Sequence, residues 1–299
     1  MDKAETDRIW KEFWQRQQTS QAPGIVSAQW NAISQAQFEV WARVSQIFRR
    51  DAKILDVATG AGKLPQMLRY LRADFSTVGI DIANPLPSSS IGIELIGGVS
   101  MERLPFPAAH FDGAVSQFGF EYGDTQSTAR EILKVLKPGS PIALMVHRGD
   151  GPILAHNELR RRQLFWVLDE NALFDRVRTM LDMPDTTIIE AADFAGELAT
   201  SGQKQFGAHA VAWEIPEAVR RSLVLGASGP RAKLMDTLEL IEMQARNELG
   251  RIASLAKACA TADDRALLLR GFSDQGRKIQ DVIPAALPNE KAFADVIVL

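Results

Sequence analysis

The stretch ILDVATGAGKL, residues 54 to 64, decides the fold of this chain. Its first five residues are apolar apart from Asp56, which is typical of a strand buried on both faces of a parallel sheet. Gly60 and Gly62 then allow a tight turn with backbone dihedrals that other residues rarely adopt. A helix predicted from Lys63 would present free N–H groups at that turn, where a nucleotide-like or amino-acid ligand fits.

A second ligand-binding signal lies at the end of the next predicted strand, in Gly79-Ile80-Asp81. The carboxylate of Asp81 would lie at the carboxyl edge of the sheet, where it accepts hydrogen bonds from both hydroxyls of a ribose. In the dinucleotide fingerprint G-x-G-x-x-G, the third glycine falls at Pro65, where helix and strand must pack closely over a pyrophosphate. NAD is therefore disfavoured as the ligand.

Short apolar runs alternate with helical patterns from Lys53 to about residue 148, which predicts an α/β fold with a parallel sheet. The predicted strands are residues 54–58, 77–82, 91–96, 113–116 and 141–147, with helices over 63–71 and 126–136. Asp124 is the expected cap of the second helix. Helical patterns then dominate until a closing hairpin, over residues 278–283 and 293–299.

Four segments follow from these patterns. Residues 1–50 form a helical preface with helices over 4–18 and 30–49, and residues 51–150 form the ligand-binding core. Residues 151–274 form a helical insert, and residues 275–299 form the hairpin that completes the core sheet.

The chain resembles the class I S-adenosylmethionine-dependent methyltransferases, most closely the ubiquinone and menaquinone biosynthesis C-methyltransferase type. The glycine loop of that type has the form LDVATGTG, and this chain has LDVATGAG at residues 55–62. The resemblance continues through MERLPF at 101–106, HFD at 110–112 and EILKVLKPG at 131–139. It implies a Rossmann-like, seven-stranded, mostly parallel sheet with an antiparallel last strand, and S-adenosyl-L-methionine as cofactor.

The same resemblance implies roles for individual residues. Four would line the methionine end of the cofactor: Asp56, Ala58, Gly60 and Gly62. Asp81, with Ile82 beside it, would hold the ribose, and Ser100, Met101 and Glu102 would flank the adenine. The sulfonium and its methyl group would lie beside Ser116, Gln117 and Phe118.

Methyl transfer to an activated sulfonium needs mainly alignment of the nucleophile, and a general base assists when the acceptor is a hydroxyl. His147 ends the fifth predicted strand, and Glu121 and Tyr122 follow the fourth, so all three are candidate bases. The insert occupies the place where such enzymes build a lid over the acceptor. Phe165, Trp166, Phe174 and Trp213 are candidates to line an apolar pocket there, which favours a small apolar or aromatic acceptor.

The amino-acid composition disfavours several classes of binding partner. The net charge of −3 argues against broad nucleic-acid binding, which requires a clustered basic face. Cys259 is the only cysteine, and four scattered histidines give no metal-binding pattern, so we expect no metal. The charged amino terminus and the lack of a long apolar run predict a cytoplasmic protein that does not enter a membrane.

Alternative interpretations remain open at this point. A catalytically silent methyltransferase-fold protein could use the helical insert to bind a partner, although it would have no physical need for Gly60, Gly62 and Asp81 together. A nucleic-acid or protein methyltransferase is a third alternative, and the acidic balance counts against RNA. The sequence leaves open whether oxygen, nitrogen or carbon is methylated. The preface and the helix after Pro230 could pair two copies as a homodimer, or they could equally pack on the same chain.

Overall fold

A computed structural model describes residues 28–88, 90–184 and 187–299. These residues divide into two compact units, one formed by the chain up to Leu154 together with Ser254–Leu299, the other by Ala155–Ala253. Residues 254–274, which sequence analysis placed in the insert, are part of the first unit. The predicted helix over 4–18 lies outside the described residues.

The first unit contains a seven-stranded sheet flanked by helices. Its strands are β1 (Lys53–Val57), β2 (Ser76–Asp81), β3 (Ile93–Gly97), β4 (Gly113–Gln117), β5 (Ile142–His147), β6 (Asp281–Ala286) and β7 (Ala292–Val298). The strand order is β3-β2-β1-β4-β5-β7-β6. Strands β1 to β5 pair in parallel, and β7 pairs antiparallel with both β5 and β6. The predicted fold class, including the antiparallel last strand, is confirmed.

The helices that complete this unit are α1 (Ala28–Val44), α2 (Lys63–Leu71), α3 (Thr125–Val135), the end of α8 (Arg231–Asp263) and α9 (Arg265–Ser273). Helix α2 spans the residues predicted for it. Helix α3 begins after Asp124, whose carboxylate accepts hydrogen bonds from the backbone N–H groups of Gln126 and Ser127. Helix α1 ends at Val44, and a short 3₁₀ helix over Ser45–Ile47 replaces the predicted continuation to Arg49.

Alternate residues of the central strands face opposite sides of the sheet, which gives the first unit two core layers. Leu55 and Val57 of β1 pack into one layer, with apolar residues of α3 and α9 such as Ile132 and Phe272. Ile54 packs into the other layer, which includes apolar residues of α1 and α2. Since the strand order reverses between β1 and β4, the carboxyl ends of these strands form the crevice where open α/β sheets bind ligands.

The second unit is helical in the described residues. Its elements are the greater part of α4 (Pro152–Phe165), a π-helix over Trp166–Glu170, α5 (Leu173–Asp182), α6 (Ile188–Phe206), α7 (Val211–Gly226) and most of α8. Their apolar faces form one core that includes Leu164, Val167 and Val177. None of the described helices is long and apolar enough to cross a membrane.

Candidate functional site

The glycine turn after β1 has left-handed backbone dihedrals at three positions. The φ angles are 57° at Ala58, 54° at Gly60 and 74° at Gly62, which is the last residue before α2. The Thr59 N–H donates to the carbonyl of Ile80 over 2.8 Å, so the turn is fixed to the neighbouring strand. Ala58 adopts a conformation that favours glycine, and such strained residues cluster at ligand sites.

Gly79 makes room for this turn, a role that sequence analysis did not assign. A Cβ atom at Gly79 would lie 2.5 Å from Oγ1 of Thr59 and 2.8 Å from Cδ2 of Leu95. Gly79 has ordinary strand dihedrals, so the glycine is required by close packing alone. A glycine two residues before the strand-end acid was the available sequence signal.

Asp81 lies at the carboxyl end of β2, directly against the glycine turn. Its Oδ2 accepts from the N–H of Gly60 over 2.8 Å, and its Oδ1 accepts from the N–H of Ala83 over 2.9 Å. Burial raises the pKa of this carboxyl above its ordinary value, against the lowering effect of the backbone hydrogen bonds. The structure thus brings Asp81 and Gly60, two of the predicted cofactor residues, into direct contact.

Asp56 is a fully buried carboxyl at the end of β1. Its Oδ2 accepts from the hydroxyl of Thr59 over 2.5 Å, whereas Oδ1 is buried and has no hydrogen-bond partner among the described residues. Burial raises the pKa of Asp56 to about 8. An unsatisfied buried acceptor is rare in folded proteins, and this one fits a donor supplied by a ligand.

The residues predicted beside adenine lie next to the end of β2. The N–H of Val99 donates to the carbonyl of Asp81 over 2.9 Å, which holds the segment containing Ser100, Met101 and Glu102 beside the strand. Glu102 accepts from the N–H of Asp124 over 3.0 Å. Ile82, with 38% of its surface exposed, follows Asp81 directly.

The three residues predicted beside the sulfonium occupy different environments. The Ser116 hydroxyl donates to the carbonyl of Val57 and accepts from the N–H of Phe120, over 2.8 and 3.1 Å. The side-chain carbonyl of Gln117 accepts from the Trp41 indole over 2.6 Å. Ser116 therefore fixes the loop after β4, Gln117 binds α1, and Phe118 is the member of the set whose ring reaches His147.

The three candidate bases come together at the ends of β4 and β5. Nδ1 of His147 lies 2.8 Å from Oε1 of Glu121, and the His147 backbone N–H donates to the same oxygen over 3.1 Å. The His147 ring lies 4.2 Å from the ring of Phe118 and 5.8 Å from that of Tyr122, measured between centroids. Oε2 of Glu121 is buried and has no hydrogen-bond partner in the described part of the chain.

Two other reactive groups of the first unit are not suited to catalysis. Burial, together with the negative charges of Glu121 and Asp263, raises the pKa of Cys259 to about 12, so its thiol stays protonated. Asp112 precedes β4, at the opposite edge of the sheet from the glycine turn. It contacts Arg49 and Lys137, each over 2.7 Å, which is a structural role.

Of the four aromatic residues predicted for a pocket, two line a cavity in the second unit, and Phe174 and Trp213 do not line it. Phe165 and Trp166 line a cavity of about 260 Å³, together with Phe206 and polar residues that include Arg161. Phe174 is buried in the helical core and 3% exposed, so it does not line that cavity. No group of three or more metal-ligating side chains lies together within the described ranges.

Comparison with known proteins gives the family of the core. Residues 55–144 match the family model described as a methyltransferase domain. These residues form a methyltransferase domain. The match begins at β1 and ends within β5, so the domain includes the glycine turn, Asp81 and Glu121.

Two curated relatives resemble this methyltransferase domain. Demethylmenaquinone methyltransferase of Thermus thermophilus is 32% identical over 101 residues, which are 31% of this chain and 46% of that protein. The ubiquinone/menaquinone biosynthesis C-methyltransferase of Shewanella sediminis is 33% identical over 110 residues, 32% of this chain and 43% of that protein. The chain thus spans less than half the length of these relatives.

One solved structure is similar over a larger part of the chain. It is the 1,6-didemethyltoxoflavin-N1-methyltransferase of Burkholderia thailandensis, determined with 1,6-didemethyltoxoflavin and S-adenosylhomocysteine bound. The two chains are 16% identical with a TM-score of 0.38, and the alignment covers 51% of this chain and 67% of that one. A similarity of this size does not support an inference about function.

Proposed function

We propose that this protein is an S-adenosylmethionine-dependent methyltransferase that transfers a methyl group to a small apolar or aromatic acceptor by in-line displacement. The observation that carries the proposal is the pair of buried carboxyls, Asp56 and Asp81, on either side of the glycine turn. A fold without a ligand has no need for a buried carboxylate oxygen that lacks a partner.

The residues present fit the cofactor. Oδ1 of Asp56 has no hydrogen-bond partner, and an ammonium group at the methionine end would donate to it and favour the ionised form of this carboxyl. Each oxygen of Asp81 accepts one backbone hydrogen bond, so a further lone pair on each can accept from a ribose hydroxyl. Gly60 and Gly62 keep the backbone of the turn free of side chains where the ligand would approach.

Bound S-adenosylmethionine supplies a methyl group that is already activated for transfer. The chain itself would hold the cofactor, exclude water and align the acceptor. Ile82, Ser100, Met101 and Glu102 would flank the adenine, and Phe118 would lie beside the methyl group.

The acceptor class is supported by two observations. The names of both curated relatives refer to quinone biosynthesis, and quinone precursors are apolar and aromatic. The chain carries a net charge of −3, which disfavours a nucleic-acid substrate. We accordingly propose a cytoplasmic enzyme with a small-molecule acceptor.

Calorimetric titration of S-adenosylhomocysteine into the full chain tests the cofactor site. We expect binding in the wild type and its loss in Asp81→Ala and Gly60→Val, because the first removes the ribose acceptor and the second fills the turn. Asp274→Ala, at an exposed aspartate of the same unit, should bind like the wild type. A folded, ligand-free wild-type protein that does not bind would refute the proposal and favour a silent binding protein.

A further inference from the structure

Glu121 and His147 form a buried, hydrogen-bonded pair in which one polar side-chain atom of each residue has no hydrogen bond within the described residues. The residues are 2% and 7% exposed. Oε1 of Glu121 accepts from both the ring Nδ1 and the backbone N–H of His147, whereas Oε2 has no partner within the described residues. A pair with a purely structural role would be expected to satisfy both oxygens, so the unsatisfied oxygen points to a function.

The carboxylate of Glu121 determines which nitrogen of His147 carries hydrogen. With Oε1 2.8 Å away, Nδ1 is the donor nitrogen of the neutral ring, and Nε2 keeps its lone pair. Nε2 makes no hydrogen bond to any residue in the described part of the chain. His147 is therefore oriented to accept a proton at Nε2, and the resulting imidazolium would be stabilised by Glu121.

The position of the pair links it to the proposed cofactor site. His147 ends β5, and its ring lies against Phe118, the first residue after β4. Phe118 has a φ of 56°, a left-handed conformation that costs free energy for a residue with a side chain. The next residue, Gly119, approaches Ala58 of the glycine turn so closely that a Cβ on Gly119 would lie 2.5 Å from the Ala58 Cβ.

We infer that the acceptor presents a hydroxyl group on an apolar or aromatic framework, that Nε2 of His147 removes its proton, and that Glu121 positions His147. This inference rests on the proposed methyltransferase function. The rings of Phe118 and Tyr122 beside His147 provide apolar surface for such a framework.

The transfer balances in atoms and charge. The acceptor oxygen forms the new oxygen–carbon bond as its proton moves to Nε2, and the carbon–sulfur bond breaks with its electron pair remaining on sulfur. The positive charge that leaves sulfur is matched by the positive charge gained on the His147 ring. Glu121 lies 2.8 Å from that ring and therefore stabilises the charged product state.

The first test measures the protonation pattern of His147 without an acceptor. Long-range ¹H–¹⁵N NMR of the full chain, saturated with S-adenosylhomocysteine, can assign this ring among four histidines through His147→Asn. In the neutral ring we expect hydrogen on Nδ1 and a pyridine-like Nε2, and a mixture of tautomers in Glu121→Gln. Hydrogen on Nε2 in the neutral wild-type ring would overturn the inference, because no lone pair would remain to accept a proton.

The second test follows labelled methyl transfer from S-adenosylmethionine to 1-naphthol, with the product identified by mass spectrometry. His147→Asn should lower the rate at least about 100-fold and leave the S-adenosylhomocysteine affinity unchanged, since a general base typically contributes 10²–10⁴-fold. His209→Asn is the matched control, because His209 is exposed and has a φ of 62° that asparagine tolerates.

The two proposals fail in different ways. If S-adenosylhomocysteine does not bind to the wild type, the proposed function fails and the inference fails with it. If it binds, and His147→Asn transfers the methyl group to 1-naphthol at the wild-type rate, only the inference about the base fails.

Discussion

Asp56, a residue of the candidate site, also affects the stability of the protein. Its carboxyl is fully buried beside Asp81, and burial raises its pKa from 3.8 to about 8. The folded protein therefore holds this proton more tightly than the unfolded chain does. Unfolding releases the proton between about pH 4 and pH 8, so the Asp56 contribution to stability is present below pH 4 and is lost as the pH rises through this window.

Asp56→Asn should remove this pH dependence. The free energy of unfolding can be measured with urea at pH 5 and at pH 8. Between these pH values it should fall further in the wild type than in the variant, by on the order of a few kcal/mol. Asn resembles the protonated carboxyl in shape and does not ionise. Asp274→Asn, at an exposed position, is the control and should show the same pH dependence of stability as the wild type. If the stability of Asp56→Asn changes with pH as much as that of the wild type, Asp56 is not the source of the dependence.

At the scale of elements, the site depends on two loops that touch at the carboxyl edge of the sheet. The glycine turn follows β1, and the segment from Phe118 to Tyr122 follows β4. Their contact at Ala58 and Gly119 leaves no space for a further carbon atom. The two loops consequently maintain the distance between the glycine turn and the His147 ring.

Gly119→Ala should disturb that distance without removing any polar group. The added Cβ would lie 2.5 Å from the Ala58 Cβ, so one of the loops must move. We expect S-adenosylhomocysteine to bind at least about tenfold more weakly, equivalent to about 1.4 kcal/mol. Gly229→Ala is a suitable control because its Cβ would meet no atom closer than 3.6 Å. Unchanged affinity in Gly119→Ala would show that the loops adjust independently.

At the scale of the whole molecule, the sheet of the first unit is completed by the last residues of the chain. β7 lies between β5 and β6, so its backbone hydrogen-bonds on both sides. The carboxyl-terminal segment buries seven large apolar side chains: Ile283, Leu287, Phe293, Val296, Ile297, Val298 and Leu299. At about 1.5–3 kcal/mol each, their combined burial is comparable with the whole net stability of a typical domain, about 5–15 kcal/mol.

Truncation after Gln280 should therefore prevent folding of the first unit. We expect aggregation or loss of cooperative unfolding, measured by gel filtration and circular dichroism. Insertion of two glycines beside the exposed Asn289 keeps both strands and should leave the protein folded. A truncated protein that unfolds cooperatively and binds S-adenosylhomocysteine would show that β6 and β7 are dispensable for the core.

The sequence by itself determined the order of the elements and the positions of the glycine turn and Asp81 at one edge of the sheet. Buried strands, the glycine turn and the cap at Asp124 are signalled by residues adjacent in the chain, and parallel strands bring their carboxyl ends to one edge. The glycine turn and Asp81 could therefore be predicted together. Local signals predicted a helix up to Arg49, whereas the helix ends at Val44. They also gave no indication that residues 254–274 belong to the first unit and not to the insert.

The tertiary structure alone decided which side chains are partners. Glu121 and His147 are 26 residues apart and were separate candidates until the pairing of β4 with β5 brought them within 2.8 Å. Ser116 and Gln117 are predicted to lie beside the sulfonium, and only the structure shows that their polar atoms bind Val57, Phe120 and Trp41. Such contacts depend on packing between distant segments, and a linear sequence contains no local signal for them.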